Sequence, residues 1–280
     1  MNTWLLIPWF KLEGIPVVGS LEIQPFGILV AIGILLGSRV AEWRAEKVNV
    51  DPRLIADFLM YTIGIGLASA YLLNKPLYDW DEFVAIVKEP RRFFQTYMGL
   101  SSYAGFTGGV AAAFLFRHRR GVTITSMGDL FCFAFPFAWF FGRMGCFTVH
   151  DHPGTVSTFF LAVDNYNNQG LPRHDLGLYE VIWSAVAVGL NLWLGKRALP
   201  RGFFMAFITL IYAPVRFFLD FLREVPLHGG EVRYFGLTPG QYGSILMFVT
   251  GLLVWRRVAT GPAIGVYLPG REPADAAAEV

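Results

Sequence analysis

Leu130-Phe131-Cys132-Phe133-Ala134-Phe135-Pro136-Phe137-Ala138-Trp139-Phe140-Phe141-Gly142-Arg143-Met144-Gly145-Cys146-Phe147-Thr148-Val149-His150-Asp151-His152-Pro153-Gly154 joins an apolar run to a polar cluster through a single arginine. With its flanks the run is long enough to cross a bilayer, whose hydrocarbon core of about 30 Å takes roughly 20 helical residues. Arg143 then lies near the end of a membrane span, with His150, Asp151 and His152 just beyond it. An ionisable side chain at that depth is costly and points to a functional site. Taken alone, a snorkelling arginine at the lipid boundary accounts for it equally well.

The rest of the chain agrees with a membrane reading. Hydrophobic residues make up 54% and charged residues 16% of the 280, and the mean hydropathy is positive, which is too apolar for an ordinary soluble domain. Apolar runs at 26–43, 58–73, 100–116, 127–147, 176–194, 203–222 and 242–255 give seven candidate spans. The expected fold is therefore all-α and polytopic, with 1–257 as a single transmembrane domain and 258–280, which lacks periodicity, as a flexible cytoplasmic tail. Residues 1–24 lack the basic start and cleavage pattern of a signal peptide and, with Trp4 and Trp9, suit an interfacial segment. Residues 78–97 mix aromatics with charges and suit an amphipathic segment at the outer surface. The net charge of +2 is dispersed in short basic clusters, so no nucleic-acid footprint is indicated.

Those clusters set an orientation. Arg44, Lys47 and Arg53, then Arg117, Arg119 and Arg120, then Lys196, Arg197 and Arg201, then Arg256 and Arg257 fall in alternate connections. The positive-inside rule places these in the cytoplasm, with the N-terminus outside and the C-terminus inside. Residues 76–99, 148–175 and 223–239 then face outward, and Arg143, Arg216 and Arg223 converge on one leaflet with His150, His152, His174, His228, Asp151 and Asp220. Glu180 sits in the outer half of its span. Guanidinium groups bind phosphate in a planar, two-pronged fashion, so such a cluster suits a phospholipid headgroup. The alternative is that the charges pair among themselves, Arg216 with Asp220 one turn away for instance. Glycines at 33, 37, 64, 105, 108 and 109 suit close helix packing. Cys146, His150, Asp151 and His152 make a zinc site conceivable, but their spacing matches no recognised pattern, and neither metal nor cofactor is expected.

Gly142-Arg143-Met144-Gly145-Cys146-Phe147, followed by Asp151 and Gly154, resembles the Gly-Arg-x-Gly-Asn-Phe signature of bacterial phosphatidylglycerol:prolipoprotein diacylglyceryl transferases. Further stretches are similar in order. Gln24-Pro25-Phe26-Gly27 resembles the family's Arg-Trp-Tyr-Gly, Ser101-Ser102-Tyr103-Ala104-Gly105 its Ser-x-His-Gly-Gly, and the run from His174 to Leu178-Tyr179-Glu180 its His-Pro-Ser-Gln-Leu-Tyr-Glu. Arg216-Phe217-Phe218-Leu219-Asp220-Phe221-Leu222-Arg223 resembles its Arg-x-x-x-Glu-Phe-x-Arg, and Pro239-Gly240-Gln241 its Met-Gly-Gln.

The resemblance implies transfer of a diacylglyceryl group from phosphatidylglycerol to the lipobox cysteine thiol of a prolipoprotein, at the outer face of the bacterial inner membrane, by a monomer. It implies that Arg143 and Arg223 hold the phosphate, that Arg216 and Glu180 organise the site, and that Phe26, Cys146 and Gly154 contact the lipid. Departures fall at the chemistry: Tyr103 replaces a histidine, Cys146 an asparagine, Asp151 a glutamate and Phe26 a tyrosine. A tyrosine with an ordinary pKa near 10 is a poor proton acceptor at neutral pH, so His150 or His152, assisted by Asp151, is expected to take the thiol proton. The alternative function is a catalytically altered or inactive relative that binds phospholipid or modifies another acceptor.

Overall fold

The computed structural model describes residues 6–18, 21–78, 80–94, 101–164, 166, 170–197, 199–224 and 233–260. Of the expected tail, 258–280, residues 258–260 are helical, and the remainder, like His228, lies outside the described residues. The protein is a helical membrane protein. Its helices are α1 (Pro25–Lys47), α2 (Pro52–Leu72), α3 (Asn74–Tyr78), α4 (Trp80–Lys88), α5 (Ser102–Arg120), α6 (Ile124–Val149), α7 (Leu176–Leu194), α8 (Phe203–Leu219) and α9 (Pro239–Thr260). Of these α1, α2, α6, α7 and α8, the last with the short 3-10 turn Asp220–Leu222, are long and apolar enough to cross a membrane. The remaining two expected spans, 100–116 and 242–255, coincide with α5 and α9. Large apolar side chains such as Leu35, Met60, Val186 and Leu246 point outward, as a hydrocarbon solvent permits.

Local chemistry sets the ends. Asp51 accepts from Arg53 N at 2.9 Å and precedes Pro52 at the first position of α2. Ser101 accepts from Ala104 N at 3.2 Å, and α5 closes on Gly121 at φ 67°. Asp175 accepts from Leu178 N at 3.0 Å to start α7. Thr238 and Gln241 cap α9 reciprocally, Gln241 N donating to Thr238 Oγ1 at 3.1 Å and Thr238 N to Gln241 Oε1 at 2.9 Å.

The described residues form two compact units. In the one drawn from 42–131, α2 packs on α5 through small residues. A Cβ on Gly66 would lie 3.2 Å from Gly105 O, and one on Gly108 would strike the Ser69 hydroxyl. Phe58 meets Phe116 edge-on at 5.5 Å, and Arg120 pairs with Asp57 at 2.7 Å. Gly64 faces open space. The expected segment 78–97 forms α4 and a 3-10 turn, Pro90–Phe94, as far as it is described.

The other unit, drawn from 1–41 and 132–266, holds most of the candidate residues. Strands β1 (Ile7–Pro8), β2 (Ile15–Val18), β3 (Leu21–Ile23), β4 (Pro153–Val156), β5 (Val163–Asp164) and β6 (Arg173–Asp175) accompany its helices. The sheet order is β1-β5-β6-β4, with β1 parallel to β5 and the other pairs antiparallel; β2 and β3 form a separate hairpin. The N-terminal segment is thus strand-bearing and tied to the α6–α7 connection. In α1, Gly33 and Gly37 close on Ala138 of α6, at 2.7 Å from its carbonyl and 2.9 Å from its Cβ for built Cβ atoms. Phe133, Leu194 and Phe204 form a buried cluster joining α6, α7 and α8.

Pro136 lies inside α6 and has no N–H for the Cys132 carbonyl one turn back. Fully buried Asn191 of α7 supplies the donor, its Nδ2 lying 3.3 Å from Cys132 O and 2.8 Å from Phe133 O. Asn191→Ala should cost about 1–3 kcal/mol of stability by removing the side-chain donor to the Cys132 carbonyl. The loss should shrink in a Pro136→Ala background, as thermal unfolding in detergent will report; equal losses in both backgrounds would rule out the coupling.

Candidate functional site

Glu180, fully buried in the first half of α7, is where three helices meet. Its Oε2 accepts from Trp139 Nε1 of α6 at 3.1 Å and from Tyr212 Oη of α8 at 2.8 Å. Arg143 Nε forms an ion pair with the same oxygen at 2.9 Å, without hydrogen-bond alignment. The Arg143 guanidinium also lies over the Trp139 ring, 4.4 Å from its centroid, an arrangement that attracts a cation to the ring face. Trp139 and Arg143 are four residues apart and share a helix face. One edge of the guanidinium is thereby held inside, and Nη1 is directed at Cys146 Sγ, 3.8 Å, and His152 Nε2, 3.4 Å.

His152 is partly exposed, and its Nδ1 is hydrogen-bonded to the Asp151 carboxylate. That bond assigns the proton to Nδ1 and leaves the Nε2 lone pair facing Arg143. The donor atoms of Cys146, Asp151 and His152 lie within 4.8 Å of one another. Arg143 Nη1 stands among them, and a second cation there would be repelled by the guanidinium.

His150 behaves differently. It ends α6 in the left-handed region at φ 51° and turns inward. Its side chain is buried, with Nδ1 2.7 Å from Asp175 Oδ2 and Nε2 2.5 Å from Phe10 O, while its carbonyl accepts from Tyr166 Oη at 2.7 Å. Trp9, Phe10, Phe147 and Tyr166 surround the ring. Both ring nitrogens face acceptors inside this pocket, Asp175 Oδ2 and the Phe10 carbonyl, so neither opens toward Arg143 and Cys146. The expectation of His150 as an alternative base gives way to a role in anchoring the N-terminal segment.

A second cluster surrounds fully buried Asp220. Its Oδ1 receives Arg216 Nη1 and Arg223 Nε, the latter at 2.8 Å, and its Oδ2 receives the Thr238 hydroxyl. The pairing of Arg216 with Asp220 weighed from their spacing is therefore present. Arg216 also interacts electrostatically with Glu180, Tyr212 and Arg143. Gly240 is required here: a Cβ would lie 2.5 Å from Asp220 Oδ2 and 3.0 Å from Arg216 Nη2.

Gly154 pairs with Arg223 in an isolated antiparallel bridge, and a Cβ would lie 2.7 Å from His174 Cβ and 2.8 Å from Leu222 O. Its absent side chain lets β4 approach the end of α8, so its contribution is backbone approach. Phe26 packs against Gly145, whose built Cβ would fall 2.9 Å from the Phe26 ring. Tyr103 is in the first turn of α5, and its side chain is outside the described residues. Sequence reasoning missed Trp139 and Tyr212, each four residues before an arginine, and Asp175, whose place before an apolar run is a capping signal.

The family model described as prolipoprotein diacylglyceryl transferase matches residues 15–257. Curated relatives named phosphatidylglycerol–prolipoprotein diacylglyceryl transferase include one from Chromohalobacter salexigens, 28% identical over 86% of this chain and 90% of its own. Another, from Vibrio parahaemolyticus, is 28% identical over 85% of this chain and 88% of its own. A third, from Halalkalibacterium halodurans, is 26% identical over 92% and 90% respectively.

His150→Ala should cost about 1–3 kcal/mol because it leaves buried Asp175 Oδ2 without this partner, whereas His152→Ala should change stability by no more than about 0.5 kcal/mol. Equal melting temperatures for the two variants would contradict the assignment. His174, whose Nδ1 lies 2.5 Å from Tyr179 Oη, has its pKa lowered from 6.5 by burial. A histidine lowered in the folded state binds fewer protons there than when unfolded. The stability it confers is thus complete above pH 6.5 and is lost as pH falls through the lowered value. His174→Gln should flatten that part of the acid limb in a pH series of melting temperatures.

Proposed function

Because the chain belongs to the prolipoprotein diacylglyceryl transferase family, we propose that it transfers the diacylglyceryl group of phosphatidylglycerol to the lipobox cysteine thiol of prolipoproteins. The observation that carries the reading at the level of residues is the arrangement of Arg143 beside the Asp151–His152 pair. The reaction needs a phosphate ester held with its developing charge neutralised and a thiol relieved of its proton. Arg143 and Arg223 hold the phosphate. Glu180, Trp139 and Tyr212 orient the first of these, and Asp220, with Arg216, orients the second.

When the phosphate takes over Arg143 Nη1, His152 Nε2 is released from that contact and accepts the acceptor thiol's proton, while Asp151 holds the ring in the required tautomer. The thiolate attacks the glycerol carbon that carries the phosphate. A carbon–sulfur bond forms, the carbon–oxygen bond breaks, and glycerol phosphate leaves and takes up the proton from His152. Cys146 lies beside the phosphate-binding edge of Arg143 and serves the lipid rather than the acceptor. The enzyme spans the bacterial inner membrane seven times with the N-terminus and the site outside, as the basic clusters support, and acts as a monomer.

Incubating the purified chain with phosphatidylglycerol and a lipobox peptide should give a peptide heavier by one diacylglyceryl group. Arg143→Ala and His152→Ala should each slow the transfer by about a hundredfold or more. Transfer at the wild-type rate by His152→Ala would dismiss His152 as the base. No adduct together with retained phospholipid binding would favour the lipid-binding alternative.

A further inference from the structure

Arg233 belongs to the connection between α8 and α9 and is not used by the scheme above. Among the described residues its polar contact is weak: Nη2 lies 3.5 Å from the Asp220 carbonyl, which carries no formal charge. Its Nε is buried with no hydrogen-bond partner. Asp220 cannot neutralise it, because both carboxylate oxygens are taken by Arg216, Arg223 and Thr238. A guanidinium beside two other arginines that share one carboxylate sits in a locally positive environment, which attracts an anion.

The backbone presenting Arg233 is built with some care. Tyr234 and Leu237 exchange both backbone hydrogen bonds, at 2.8 and 3.0 Å, around a two-residue loop. Phe235 and Gly236 have φ of 49° and 83°. Positive φ at both central positions is the type I′ hairpin turn, which favours asparagine and glycine in the order Asn-Gly. A bulky aromatic at the first position is strained, and Phe235 is also fully exposed. Tyr242 Oη clamps the turn from α9 by donating to Tyr234 O at 2.8 Å. An exposed aromatic held in an unfavourable conformation, two residues from an arginine that forms no ion pair among the described residues, matches a phospholipid at the interface, with phosphate for the cation and apolar glyceryl ester for the ring.

We propose that the Arg233–Leu237 hairpin is a phospholipid-binding element, in which Arg233 binds the phosphate ester and Phe235 enters the adjoining apolar layer. The proposal rests on the phosphate-ester reading of the site but does not depend on turnover. The full chain in neutral detergent can be titrated with phosphatidylglycerol or with glycerol 1-phosphate and read by native mass spectrometry.

Arg233→Gln should weaken both ligands by about tenfold, the scale of one lost charge-assisted contact, and Arg233→Lys, which keeps the charge but not the fork, should fall between. Weakening of phosphatidylglycerol alone would identify a lipid headgroup as the ligand, and weakening of glycerol 1-phosphate alone the free phosphate ester. Phe235→Asn relieves the strain, so it should keep or raise the melting temperature, weaken phosphatidylglycerol severalfold and leave glycerol 1-phosphate unchanged. Wild-type affinities for both ligands in Arg233→Gln would overturn the proposal, and wild-type lipid affinity in Phe235→Asn would remove Phe235 from it. If the wild-type chain bound these ligands through Arg233 yet modified no peptide, the transferase reading would fail and this one would stand.

Discussion

A single carboxylate carries the organisation of the site. Placing Glu180 in the interior of an apolar helical unit would be prohibitive for an isolated charge, and the structure offsets that cost by converging Arg143, Trp139 and Tyr212 on one of its oxygens. Because these partners come from α6 and α8 while Glu180 belongs to α7, the requirement to neutralise one charge fixes the mutual placement of three helices. Arg143 cannot rotate freely, since its Nε edge is held by the carboxylate and its face by the indole. What remains available is the Nη edge, directed at Cys146 and His152.

The same logic operates around Asp220, which is also fully buried. There one buried carboxylate serves Arg216 and Arg223 with help from Thr238, and close approach of α9 is possible because position 240 has no side chain. A buried pair of this kind is a weak source of stability in itself. What it does is hold two arginines at fixed positions.

Two histidines separated by one residue have opposite fates. The left-handed backbone at His150 ends α6 and turns that ring into an aromatic pocket against Asp175 and Phe10. Asp151 and His152 then face the charged site, where Asp151 holds the ring through Nδ1 and Nε2 meets Arg143 Nη1. Replacement of the family histidine at position 103 thus coincides with an acid–histidine pair beside the arginine of the signature.

Much of the architecture was legible in the chain because hydropathy is a local and additive property. The run ending at Phe141, and its counterparts elsewhere, announce membrane helices whatever their neighbours do. Caps such as Asp51, Ser101 and the Thr238–Gln241 pair are likewise local, since a side chain and a backbone N–H two or three residues on decide them. The arginine-bearing signature and the chain order of its companion motifs also needed no coordinates. Tertiary structure alone decided which oxygen binds which donor. It separated His150 from His152 through contacts with residues as distant as Phe10 and Asp175. It also revealed Trp139 and Tyr212 as partners of Glu180, and Arg233 as a cation beside a carboxylate already taken. A buried charge is stabilised by whatever groups the fold brings within about 3 Å, and that set is chosen by packing between segments far apart in the chain.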